Sequence, residues 1–405
     1  MYRVSPFVRH FAFALLGGIA LATLWLTLSP ASYYDAIEWR LLELSLPPSW
    51  AIQPLVLTPQ SVVSEGLMAL FLFFVGKELW EALILERGAL SGRRAWLPVG
   101  GMLGGWLGAV LMWLITAALF ETAIEATPGV GWAVPVGSDV VLGYLVGRLV
   151  FGAGHPALHL LLLITIGNDI AGLILLGLAF PAADLRLLWL ALPVLAVAGV
   201  WWGFARHARP ELTEREHRRA FQLWPYVLAG ALSWLGVMLA GLPGALGLLP
   251  VIPVIPHADR AFGLFAEAEE FLHDPLNRLA HLLVRPIALV LFLFGLTRGG
   301  IDIQAIAPTT LSVLAALWIG KPLGLLAGMG AAALTGLSLP PGVRLRDLLL
   351  VALITGMGFT VPVLALDTAL PGGGMAEAAR AGLALSLLIG LVAMGLGRAL
   401  TRRAG

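Results

Sequence analysis

Three ionisable side chains stand where few are tolerated: Asp139, Asp169 and Lys321 each fall within a long apolar stretch. An ionisable group inside a membrane span is costly, so each is a functional candidate by default. Asp169 points to the most specific chemistry. It lies near the middle of residues 161–178, with Asn168 before it and Gly167 and Gly172 flanking the pair, and small neighbours leave room for an ion. A carboxylate shut away from water can hold a proton or a hard cation, and hard cations prefer oxygen ligands. If the two compete for one oxygen pair in a site that opens to one side at a time, sodium moving one way must exchange for a proton moving the other. Asp169, the Asn168 amide oxygen and backbone carbonyls supply candidate sodium ligands, with Asp139 as a second carboxylate for the metal. The rival reading of Asp169 is a buried cap or cross-link between helices that moves no ion.

Asp139 carries two compatible readings. It ends the run Pro135-Val136-Gly137-Ser138-Asp139, which interrupts an apolar segment. A carboxylate there also stabilises free N–H groups and the positive end of a half-helix dipole. Lys321, in Gly320-Lys321-Pro322-Leu323-Gly324, could answer the negative ends of the same broken helices. The one other lysine, Lys77, sits beside Glu78 near the end of an apolar run and reads as a snorkelling end residue. With Glu65 these two are candidates for a cytoplasmic funnel or for pH sensing. The eight histidines read as loop and headgroup residues rather than as a switch. His155 and His159 share helical spacing but lack a carboxylate partner, which argues against a metal centre there.

The elements that must position these groups follow from composition. Of 405 residues, 59% are hydrophobic and 12% charged, against roughly a quarter charged in a soluble domain. Many runs approach or exceed the ~20 apolar residues needed to cross the hydrocarbon core. They are apolar on all faces, so they cross as helices and not as alternating barrel strands. The expected fold is an all-α polytopic membrane protein with about twelve spans, at 11–29, 62–86, 96–119, 134–148, 157–180, 186–205, 222–240, 244–256, 280–298, 309–335, 347–370 and 379–400. Arg3, Arg9, an apolar stretch and Ser29-Pro30-Ala31-Ser32 have the form of a signal peptide, but the many equivalent spans that follow favour a first span. With this count, 19 arginines fall in one set of alternate connections, and only Arg40, Arg186, Arg298 and Arg380 in the other. That asymmetry places both termini in the cytoplasm of a bacterial inner membrane. Cysteine is absent, which excludes disulfides and thiolate metal sites.

Residues 1–405 read as one membrane domain, with a Pro-rich external segment at 30–60 that has room for a hairpin and an amphipathic cytoplasmic segment at 257–285 containing Glu267, Glu269 and Glu270. Spans three to five (96–180) and ten to twelve (309–400) repeat one pattern: a Gly-rich helix, a Gly/Pro-interrupted helix and a long uninterrupted one. The second interruption is Gly356-Met357-Gly358-Phe359-Thr360-Val361-Pro362. Broken spans at matching places in two halves point to an inverted-repeat transporter with its ion site at the break. Gly100, Gly104 and Gly108 permit close approach of span three to a neighbour.

The ordered set Glu65-Gly66-Leu67-Met68-Ala69, Phe74-Val75-Gly76-Lys77-Glu78, Gly131-Trp132-Ala133-Val134-Pro135, Ser138-Asp139, Asn168-Asp169, Gly320-Lys321-Pro322-Leu323-Gly324 and Gly356-Met357-Gly358-Phe359-Thr360 resembles the NhaA-type sodium/proton antiporters over about residues 10–400. The resemblance implies twelve helices in inverted repeats with crossed broken helices at spans four and eleven. It also implies a core that moves against a dimerisation domain, and a homodimer. By it, Asp169 matches the family's cation- and proton-binding aspartate, Asp139 its crossing-helix aspartate and Lys321 its buried lysine, with Ser138 and Thr360 in support. This sequence departs where the family usually has two adjacent aspartates: Asn168 replaces the first, so Lys321 lacks its usual carboxylate partner. Lys77 stands where an apolar residue is common, and Leu242-Pro243-Gly244-Ala245 lacks the family's histidine.

The function so implied is secondary exchange of Na+, with Li+ as a further candidate, for H+ by alternating access, electroneutral because Asn168 leaves one carboxylate at the pair. The alternatives are a same-fold carrier of another cation or an organic anion, and a non-transporting membrane sensor or assembly partner. Three costly buried groups disfavour the last. No phosphate loop, nucleophile elbow or cofactor motif appears, so neither an enzyme nor a cofactor is expected. Membrane lipids are expected partners and nucleic acid is not, since the arginines follow membrane sidedness.

Overall fold

The computed structural model describes residues 7–44, 55–84, 95–119, 131–152, 154–180, 185–205, 220–257, 265, 272, 274–337, 339–370 and 373–402. Among the described residues, eight helical stretches are long and apolar enough to cross a membrane: Phe7–Leu28, Trp96–Leu119, Val134–Phe151, Pro156–Ala179, Pro275–Arg298, Pro308–Leu334, Leu345–Leu366 and Gly373–Leu400. Three shorter apolar helices, Leu187–Gly203, Trp224–Leu239 and Gly244–Val254, join them. With the helical run from Pro59 through Ile84, whose apolar stretch is interrupted by Lys77, Glu78 and Glu81, these make twelve helical stretches among the described residues, the number the sequence leads one to expect. Leucines 107, 111, 188 and 334 lie exposed on the outer faces, as a hydrocarbon solvent requires. The most enclosed stretches are Leu345–Leu366 and Pro156–Ala179.

We label the regular elements in chain order: α1 (Phe7–Leu28), α2 (Pro30–Ile37), β1 (Leu42–Leu44), β2 (Leu55–Leu57), α3 (Met68–Ile84), α4 (Trp96–Leu119), α5 (Val140–Phe151), α6 (Pro156–Ala179), α7 (Ala191–Gly203), α8 (Trp224–Leu239), α9 (Pro275–Arg298), α10 (Pro308–Ala315), α11 (Lys321–Leu334), α12 (Leu345–Thr355), α13 (Thr360–Ala369), α14 (Gly373–Ser386) and α15 (Ile389–Arg402). β1 and β2 pair antiparallel, Leu42 opposite Leu57 and Leu44 opposite Leu55. On α2 the buried Tyr33 donates its hydroxyl to Leu296 O at 3.0 Å. Burial pushes that phenol up to about 12, so it remains a donor across physiological pH.

Local chemistry explains where the helices depart from regularity. Residues 244–256, expected as an ordinary span, form 3₁₀ turns at Gly244–Leu246 and Leu249–Val254. Pro250 and Pro253 remove the N–H donors that a continuous α-helix needs there. A wide π turn, Ala316–Gly320, precedes α11. Pro322 lacks an N–H, and its ring would clash with the Trp318 carbonyl four residues back, so the preceding turn opens. A second π turn, Val62–Leu67, leads into α3 and contains Glu65.

Two glycine seams bring backbones together. Between α4 and the tenth span, a Cβ added at Gly104 would strike Gly324 O, one at Gly108 would strike Gly320 O, and one at Gly328 would strike Gly100 O. Between α1 and α9, a Cβ at Gly18 would strike Phe292 O, and one at Gly295 would meet Leu15 O at 2.6 Å.

Candidate functional site

The fourth and eleventh crossings are broken as the sequence indicates. In the first, a 3₁₀ turn, Val134–Val136, gives way at Gly137 to extended backbone before α5 begins. In the second, α12 ends at Thr355 and α13 starts at Thr360. The breaks touch: a Cβ on Gly137 would lie 2.8 Å from Val361 Cγ1 and 2.9 Å from Pro362 Cδ. Only glycine admits this approach, and it juxtaposes four half-helix ends whose partial charges need answering.

Asp139 answers the two positive ends. One carboxylate oxygen accepts the Leu142 N–H at 2.7 Å, capping α5, and the other accepts the Thr360 N–H at 3.1 Å, capping α13. Both of its oxygens, expected to offer a second place for sodium, are thus engaged by backbone donors. Lys321 answers a negative end. Its ammonium donates to the carbonyls of Pro135 at 3.3 Å and Val136 at 3.0 Å, and also to that of Gly137. The lysine therefore finds partners in backbone oxygens although residue 168 is uncharged. The seam between α4 and the tenth span delivers it there, with Gly105 packed against its stem.

Asp169 and Asn168 rise from the buried middle of α6, each no more than 1% exposed. One Asp169 oxygen accepts the Ser138 N–H at 2.8 Å. The other, Oδ2, is buried without a hydrogen-bond partner, and so is Asn168 Oδ1. Asn168 Nδ2 donates to Ser138 Oγ at 3.1 Å, and that hydroxyl donates to Thr355 O at 3.2 Å. The Thr360 hydroxyl is also buried beside the Asp139 carboxyl, without a hydrogen bond of ordinary geometry. Unpaired buried oxygens cost roughly 1–3 kcal/mol each. Their clustering at one break is the arrangement that a dehydrated cation or a proton would satisfy.

Away from the break, Lys77 departs from the snorkelling expectation. It is 1% exposed, with its ammonium 3.1 Å from Glu78 Oε1 and 3.0 Å from Glu81 Oε2. Two adjacent carboxylates satisfy the ammonium inside the protein, so its stem has no need to reach the headgroups. Glu78 Oε2 also accepts the Phe265 N–H at 2.5 Å. Sequence reading passed over Glu81, for which the signal was its position four residues after Lys77 on one helix face. Glu65 lies elsewhere, accepting the Gly244 N–H at 2.5 Å, while its carbonyl accepts the Trp234 indole N–H at 2.7 Å. Glu267, Glu269 and Glu270 lie outside the described residues, as do the arginines at 87, 93, 94 and 206–219. Among the described residues no group of three His, Cys, Asp or Glu side chains is placed to hold a metal ion.

A family model described as Na+/H+ antiporter 1 matches residues 9–396. The Na(+)/H(+) antiporter NhaA of Jannaschia sp. (strain CCS1) is 39% identical, over 94% of each chain. Na(+)/H(+) antiporter NhaA 2 of Pelobacter propionicus is 32% identical, over 98% of this chain and 97% of its own length. Among solved structures, the sodium proton antiporter MjNhaP1 from Methanocaldococcus jannaschii superposes with a TM-score of 0.55 at 16% identity, covering 96% of this chain and 91% of that one. At that identity the likeness speaks for the fold alone.

Proposed function

The chain belongs to the Na+/H+ antiporter 1 family, and we propose that it exchanges sodium for protons by letting the two compete for the Asp169 carboxylate. It is a secondary transporter and not an enzyme. The observation that carries the site assignment is the pairing at Asp169: one oxygen is held by the Ser138 N–H while the other stays buried and unpartnered, at a break whose ends are already capped. Asp139 and Lys321 are then the fixed charges that keep the break open, and Asp169 is the carboxylate free to change its guest. Asn168, through Oδ1, is the neutral oxygen assigned to the same site, and the Thr360 hydroxyl supports it from beside Asp139. Lithium, smaller and harder still, suits the same oxygen ligands.

An organic anion fits less well. The basic group at the break, Lys321, spends its three donors on carbonyls, so it has none to offer a carboxylate substrate. With one exchanging carboxylate, one proton replaces one sodium ion and no net charge crosses. Both termini face the cytoplasm of the inner membrane by the arginine asymmetry, membrane lipids surround the spans, and the working unit is a homodimer, as the family resemblance implies. Lys77 and Glu78, joined by Glu81 in one buried ion-pair cluster, are assigned to the cytoplasmic funnel, while Glu65, the third candidate, bonds Gly244 instead.

The direct test reconstitutes the protein in liposomes, imposes a sodium gradient and follows internal pH. The native chain acidifies or alkalinises the lumen according to the gradient's direction, and Asp169→Asn does not. Native rates in that variant would end the proposal.

A further inference from the structure

The hydrogen bonds around Ser138 run in one direction. A serine hydroxyl has one proton to give. The Thr355 carbonyl, 3.2 Å away, can only accept, so the hydroxyl donates there. The Asn168 atom 3.1 Å from the same oxygen must then be the donor, Nδ2. This fixes the amide: Oδ1 turns the other way, buried and without a partner. The main-chain N–H of Ser138 meanwhile takes Asp169 Oδ1 at 2.8 Å and leaves Oδ2 over. A single residue, itself fully buried, thus selects which oxygen of each neighbour remains available.

We propose that Ser138 is a positioning residue that makes Asn168 an oxygen ligand for the transported cation, an assignment that rests on the reading of Asp169 as the ion-binding carboxylate. Turned by half a rotation, the same amide would present its N–H groups, the positive end of its dipole, to a cation. The proton that prevents this is committed to Thr355, on the other broken helix, so the ligand set holds only while the two breaks stay crossed. An aspartate at 168 would reverse the logic. A carboxylate cannot donate to Ser138, and its two oxygens are equivalent, so nothing remains to be oriented.

The test is a double-mutant comparison of sodium dependence in proteoliposomes. Ser138→Ala in the native background raises the KM for sodium by about tenfold, the equivalent of one hydrogen bond to a charged group, and lowers the maximal rate less. Ser138→Thr, which keeps the hydroxyl, restores the KM. In the Asn168→Asp background, Ser138→Ala changes the KM by less than about twofold, because independent effects would otherwise add. Should Asn168→Asp fail to fold, Asn168→Ala supplies a background with no amide to orient and the same expectation. An equal penalty in both backgrounds, or a native KM in Ser138→Ala, overturns the assignment. Asp169→Asn is measured alongside. If it is inactive while Ser138→Ala behaves as native, only the Ser138 assignment falls; if it transports normally, the ion-site reading falls and this inference with it.

Discussion

Asp139 and Asp169 are both buried carboxylates on broken or adjoining helices, yet their hydrogen bonds assign them opposite duties. Asp139 spends both oxygens on half-helix N-termini, and Asp169 spends one. Removing a cap costs typically about 1 kcal/mol, so Asp139→Ala, which uncaps α5 and α13 together, should lower stability by about 2 kcal/mol. Thermal unfolding of the purified protein in detergent without sodium would show a clear fall in Tm. Asp169→Asn should leave Tm unchanged or higher, since it removes a buried charge that is only partly satisfied. The sequence made these residues conspicuous because charge in an apolar run is expensive, and the cap reading of Asp139 followed from the break itself. It could not say which oxygens were taken. Nor did it single out Glu81, since acidic residues near the end of a span look like ordinary boundary residues until the fold buries them around Lys77.

The tenth span offers the sharpest contrast between glycines. Gly104, Gly108, Gly320, Gly324 and Gly328 meet backbone across the seam, whereas a Cβ at Gly330 of α11 would meet nothing within 4 Å. Gly104→Leu should force α4 away from α11 and destabilise by at least about 1–3 kcal/mol, the ordinary cost of overpacking. Gly330→Ala should stabilise by about 0.5–1 kcal/mol through helix propensity. Paired thermal melts would reveal opposite shifts in Tm. The spacing of Gly100, Gly104 and Gly108 announced a close approach but not its partner, because glycine is frequent in membrane helices and a register between distant segments is a tertiary fact. The π turn before Lys321 was likewise readable in principle from Pro322, whose ring forbids a regular turn. The 3₁₀ turns at 244–254 escaped a reading based on hydropathy, which counts apolar residues and ignores which of them lack an N–H.

At the scale of the whole molecule, the matching breaks and the helical class were legible because a bilayer fixes span length and forbids exposed backbone. How the two halves interlock was not legible, since it depends on side-chain-to-backbone bonds such as that of Asp139 to Thr360. The charge balance of transport is also a property of the whole molecule. With Asn168 beside a single exchanging carboxylate, exchange rates in liposomes clamped at different potentials should be flat, and Asn168→Asp should introduce a dependence on voltage; a steep dependence in the native protein would contradict the one-for-one balance. The seam between Trp96–Leu119 and the tenth span bears on how such a cycle can run. Carbonyls and α-carbons there abut with no side chain as cushion, so the two helices cannot slip or roll past one another without collision. Whatever stroke turns Asp169 from one compartment to the other must therefore carry Lys321 as a passenger of the third span, the pair travelling as one body.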